Sequence, residues 1–109
     1  MEMVSIGAGS DAVVDVVLRG VVDFSNAGPA AVTVKAAIAE RRPAVVRVDL
    51  SAVTFLDSSG LGLLVQAMKA ADAVGAAFRV EHAGEKVFDT LRMTGLLEAF
   101  GMVQPPAAE

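Results

Sequence analysis

The sequence predicts an α/β fold: a mixed, mainly parallel sheet of four to five strands with helices packed on it. Three observations predict this. Val-rich runs alternate with stretches whose apolar residues recur at helical spacing. The run 44–50 is nearly continuously apolar, as in a central strand covered on both faces. Near the N-terminus two short apolar runs flank a stretch of Gly, Ser and Asp, the signature of an antiparallel hairpin.

The elements follow in order. Residues 3–6 read as a first strand, 7–11 as a turn, and 12–19 as a second strand. Residues 20–25 form a loop. A helix is predicted over 26–40, with Asn26 as N-cap and Pro29 in the first turn. Its buried face is Ala27, Ala30, Ala31, Val34, Ala37 and Ile38. Arg41 and Arg42 suit the negative end of its dipole, and Pro43 stops it. The strand 44–50 comes next. A second helix covers 59–74, with Leu61, Leu64, Val65, Met68 and Ala71 as its apolar stripe and Gly75 as its stop. Residues 77–81 are a fourth strand. Residues 85–94 are a third helix that buries Val87, Phe88 and Leu91 and ends at Gly95. A last short strand is predicted over 99–103.

Composition sets outer bounds. A chain of 109 residues is one domain, placed at 1–104 with a short tail at 105–109 that opens on Pro105 and Pro106. Apolar residues make up 54% of it, enough for a core, but Ala and Val dominate, so helices must approach the sheet closely. The absence of Cys excludes disulfides, thiolate metal sites and Cys nucleophiles. The net charge is -4 and no basic stripe is present, which argues against nucleic acid as a partner. No apolar run approaches the ~20 residues that span a bilayer, so membrane insertion is not expected. The start Met-Glu-Met-Val-Ser is not a signal peptide, which leaves the cytoplasm as the expected location. No motif calls for a cofactor, and no His and carboxylate cluster for a metal.

Residues 49–62 carry the functional signal. They run Asp-Leu-Ser-Ala-Val-Thr-Phe-Leu-Asp-Ser-Ser-Gly-Leu-Gly and pass from the end of a central strand into a helix. In open α/β sheets that end of the strands is the usual ligand edge. Asp57 or Ser58 can cap the helix, and a phosphate on Ser58 would lie near the first N–H groups. Gly60 and Gly62 reduce bulk in the first turn, which lets a partner approach closely. Capping chemistry alone also accounts for Asp-Ser-Ser-Gly as a helix start.

The stretch Phe55-Leu56-Asp57-Ser58-Ser59-Gly60-Leu61-Gly62 resembles the signature of the bacterial anti-sigma factor antagonist (STAS) family. Val48-Asp49-Leu50 before it and Leu91-Arg92-Met93-Thr94-Gly95-Leu96 after it also match the family pattern. Gly20 and Asp23 resemble a Gly-acidic-apolar-Asp motif in the loop after the second strand. The resemblance implies a partner switch. The unphosphorylated antagonist binds an anti-sigma factor that is also a serine kinase. That kinase uses ATP to phosphorylate the first Ser of the motif, here Ser58, and a PPM-type phosphatase reverses it. The implied partner face comprises Asp23, Asp57, Ser58, Ser59, Gly60 and Gly62. Asp23 and Asp57 also read as an ordinary turn cap and N-cap.

The sequence departs from the family at three places. Val21 replaces an acidic residue, Asn26 stands where Thr is common, and the family's final helix is not evident after residue 104. The last departure leaves a sheet face or edge less covered, so an oligomer is an open possibility. Two other functions fit the residues less well. A hydrolase would need Asp57, Ser58 and the single His, His82, to converge, but Leu56 stands where a nucleophile elbow needs Gly. With no Walker-type loop the chain is not itself a kinase, and the expectation is a non-enzyme. The alternative of another class is a STAS assembly module in a transport or stress complex, which binds without being phosphorylated.

Overall fold

The structure, a computed structural model, describes residues 3–10 and 12–101. The elements run β1 (Val4–Ser10), β2 (Val13–Val22), α1 (Ala27–Arg41), β3 (Val45–Leu56), α2 (Ser58–Ala73), β4 (Ala77–Glu81) and α3 (Glu85–Thr94). The four strands form one sheet in the order β1-β2-β3-β4. β1 pairs antiparallel with β2, while β2–β3 and β3–β4 are parallel. This is the predicted mixed α/β sheet with its N-terminal hairpin.

Both parallel crossovers step the same way across the sheet, and right-handed connections then lay α1 and α2 on one face. The core lies on that side. Val14, Val16 and Leu18 of β2, Val46, Val48 and Leu50 of β3, and Val80 of β4 are all at most 2% exposed. Ala27, Ala30, Ala31, Val34 and Ile38 of α1 meet them, as the helical period predicts. Val87 and Leu91 of α3 join the same core. The residues of opposite parity, among them Val13, Asp15, Val17, Arg47 and Asp49, are only half-buried. Among the described residues no helix lies over them.

Several elements differ from the sequence reading. The residues 7–10 expected in a turn belong to β1, with a register shift between Gly7 and Ser10. Asp11 lies outside the described residues. β2 continues through Val22, because Gly20 takes φ +71 and admits a register shift there.

The larger difference is β3, which was expected to end at Leu50 and runs to Leu56. Val17 pairs with Asp49 and Arg19 with Ala52, so β3 carries one extra residue. Gly20 pairs with Val53 and Val21 with Phe55, which makes a second. After Leu50 the buried positions therefore fall at Val53 and Leu56, in steps of three. Bulges conceal a strand from any search for strict alternation.

The stripe of α2 is also turned. Gly60, Leu63, Leu64, Ala67 and Ala71 are buried, while Leu61, Val65 and Met68 pack partly against the core. The strand expected over 99–103 is a turn as far as Gly101, and Met102 and Val103 lie outside the described residues. Phe100 is fully buried in that turn. Its ring meets Phe78 edge-on at 5.9 Å, and its carbonyl accepts the Val80 N–H at the outer edge of β4. The expectations about the tail at 105–109 and about the family's final helix also fall outside the described residues.

Candidate functional site

The site forms where β2 and β3 outrun β4. β4 pairs only as far as Asp49 with Glu81, so the last residues of β3 pair with β2 alone. Val22 and Leu56 pair in register, both pointing into the core, and the chain leaves the sheet after each of them. Asp23 and Asp57 therefore stand at the same level on adjacent strands. The Asp57 N–H donates to the Val22 carbonyl at 3.2 Å, which pins the two exits together.

Asp57 is the N-cap of α2. Its extended backbone and short side chain let Oδ1 accept from Ser59 N at 2.8 Å and Gly60 N at 3.2 Å. Of the two caps the sequence offers, Asp57 is the one used, so the first helix N–H groups already hold a carboxylate. Ser58 is the first helical residue and is exposed, and no described residue bonds its hydroxyl.

Gly60 turns inward instead of toward a partner. It is buried, and a Cβ there would sit 2.7 Å from Leu56 Cδ1 and 3.0 Å from the Val22 carbonyl oxygen. Its lack of a side chain lets α2 start hard against β2 and β3. Gly62 has open space around its Cα. Together with Phe24, Ala27, Gly28, Ser59 and Gln66 it lines a shallow depression of about 340 Å³ between the starts of α1 and α2. Lys35 donates to Gln66 across the two helices at 3.1 Å.

The loop after β2 is locked internally. Asp23 Oδ1 accepts from the Ser25 backbone N–H and hydroxyl. Asn26, at the cap position of α1, does not cap. Its Oδ1 accepts from Asp23 N at 3.0 Å and its Nδ2 donates to the Val21 carbonyl at 2.8 Å. The result is an internally bonded loop that holds Phe24 out with 82% of its surface exposed. Val21 and Phe55, register partners on β2 and β3, are also exposed. Of the five large hydrophobics exposed among the described residues, these three flank the Ser58 corner. Phe24 was missed from sequence. An aromatic in a loop between an Asp and a Ser is an available signal, but only the locked turn shows which way it points.

His82 does not join the corner. It follows β4 at φ +62, one residue past the Glu81 that pairs with Asp49, with Nε2 3.9 Å from Glu81 Oε1. Seven more residues of β3 separate that level from the strand end, roughly 20 Å of chain. The hydrolase arrangement of Asp57, Ser58 and His82 is therefore not assembled. Near His82, burial pushes the Asp49 carboxyl up, but bonds from Ser51 and the nearby His82 and Arg19 outweigh this and hold it below the usual range. Among the described residues no group of three His or carboxylates could hold a metal. No described helix is long and apolar enough to cross a membrane.

The family model of the STAS domain matches residues 8–107. No curated protein sequence matches the chain. Solved structures do. The anti-sigma factor antagonist SpoIIAA in its unphosphorylated form superposes with a TM-score of 0.80 at 19% identity, over 95% of this chain and 89% of that one. Phosphorylated SpoIIAA from Bacillus gives 0.73 at 18%, over 95% and 92%. An anti-sigma factor antagonist from Mycobacterium paratuberculosis gives 0.78 at 27% identity, over 94% and 85%.

Proposed function

Because the chain belongs to the STAS domain family, we propose that it is an anti-sigma factor antagonist switched by phosphorylation of Ser58. Unphosphorylated, it binds an anti-sigma factor that is a serine kinase. Phosphorylated by that kinase, it lets go, and a PPM-type phosphatase restores it. The cycle runs in the cytoplasm, and the chain takes part as a substrate and a ligand rather than as an enzyme.

One observation supports this reading most directly. Ser58 is exposed beside a carboxylate that already occupies two helix donors, and the same strand exits carry the exposed Val21, Phe24 and Phe55. Val21, Phe24 and Phe55 supply area for a partner to bury. A phosphoryl group adds about -1.5 to -2 charges beside that area. With the Ser59 and Gly60 N–H groups taken by Asp57, its charge meets repulsion and desolvation rather than compensation. A coupling of about 3 kcal/mol changes partner occupancy more than a hundredfold. The contact face comprises Asp23, Asp57, Ser58, Ser59 and Gly62, with Phe24 added and Gly60 beneath it. Asp23 acts there by holding the loop.

A second reading keeps a specific observation on its side. Val21 is exposed where the family carries an acid, so the face is more apolar than the switch requires. That suits a STAS assembly module that binds without phosphorylation.

The test is incubation of the purified protein with ATP, Mg²⁺ and lysate from its own source, followed by peptide mapping by mass, with Ser58→Ala as control. One phosphate on the Ser58 peptide, absent from the control, is expected, and Ser58→Asp should lose the captured partner more than a hundredfold. A partner held equally by Ser58→Asp and by the parent chain would establish the assembly module instead.

A further inference from the structure

The second face of the sheet has no covering helix among the described residues, although three of its four strands run parallel. Parallel strands are normally covered on both sides. The register arranges this face in rows. Asp15, Arg47 and Arg79 lie side by side across β2, β3 and β4, and Val17, Asp49 and Glu81 form the next row of the same parity. Arg19 continues β2 beyond them. Arg47 is paired within the chain, its Nε 2.9 Å from Asp15 Oδ1. Arg79 is exposed and has no ion pair among the described residues. The face thus holds three Arg and three carboxylates, a balance of zero in a chain of net charge -4.

We propose that this face binds a second copy of the chain, sheet against sheet, about a two-fold axis that runs across the strands between the two rows. Such an axis lays each strand over its own counterpart and exchanges the rows. Arg79 then faces Glu81 of the second copy and Arg47 faces its Asp49, each contact occurring twice, as an isologous interface requires. The half-buried Val13, Val17 and Val45 and the exposed Ala77 supply the apolar part. A neutral, sign-alternating surface does not repel itself, whereas the remainder of the chain carries the whole net negative charge. Four strands about 4.8 Å apart over seven residues of about 3.3 Å cover roughly 400 Å² per copy. That is below the ~800 Å² per partner of a stable complex, so the dimer is weak and concentration-dependent. This surface is separate from the Ser58 corner, and the inference stands without the proposed switch.

Sedimentation equilibrium of the full chain from micromolar to millimolar concentration tests it, with circular dichroism to establish folding. The parent chain should pass from monomer to dimer across that range. Arg79→Glu and Glu81→Arg, each placing like charges opposite, should weaken the dimer about tenfold or more. The double variant Arg79→Glu with Glu81→Arg should restore it, because both partners of the contact are exchanged. A parent chain that stays monomeric, a folded Arg79→Glu protein that dimerises like the parent, or a double variant that fails to recover would each overturn the proposal. The first outcome would leave the face to water or to a different protein.

Discussion

The two helices that meet at the candidate site begin in opposite ways. α2 starts from a satisfied cap. Asp57 accepts from two first-turn N–H groups, and Gly60 is squeezed between Leu56 and the Val22 carbonyl. α1 starts without a side-chain cap, its Asn26 being spent on closing the loop, and Gly28 near its start has open space about it. The tight start places a hydroxyl at a defined point. The loose start presents Phe24 on a loop that is bonded within itself but stands clear of the core. A docking surface built from both has one fixed element and one that protrudes.

Exchanging each glycine for alanine should expose this contrast most strongly. Gly60→Ala forces Leu56 or the start of α2 to move, and overpacking of this kind costs about 1–3 kcal/mol. Gly28→Ala meets nothing and should be neutral or gain up to about 1 kcal/mol from helix propensity. Urea denaturation of both variants measures the difference, and equal effects would show that α2 is not seated as described. Next in size is Asp57→Ala, which removes the cap and should cost about 1 kcal/mol by the same measurement. Smallest is Gly62→Ala. It should raise stability by about 0.5–1 kcal/mol, since its space is open. It also places a methyl group in the depression beside Ser59, so partner affinity measured by calorimetry should fall while the thermal midpoint rises. A variant that gains both would remove the depression from the binding face.

Much of this architecture could be read from residue order. Helical spacing identified the buried face of α1, apart from the half-buried Ala37, because its core positions are Ala, Val and Ile on a plain 3.6-residue period. It rotated α2, because small residues, Gly60 and Ala67, are among the buried positions there. A search for large apolar residues favours Leu61 and Met68 over such positions. The corner motif itself was visible from Asp57 to Gly62. What was not visible was the division of labour inside it: that Asp57 fills the helix terminus, that Gly60 faces inward, and that Phe24 belongs with it. Each depends on a contact between strands or loops distant in sequence. The end of β3 was hidden for a similar reason, since a residue inserted opposite another strand leaves no local mark.

Those two inserted residues have a consequence for how this stretch of chain can vary. Ala52 and Thr54 are exposed and make no demand on side-chain type, so substitution there should be tolerated widely. Their number is another matter. Loss or gain of one residue would turn Val53 and Leu56 out of the core and shift Asp57 and Ser58 off the level of the β2 exit. The segment leading to the serine is therefore free in spelling and strict in length. An alignment that opened a gap here would be describing a different corner.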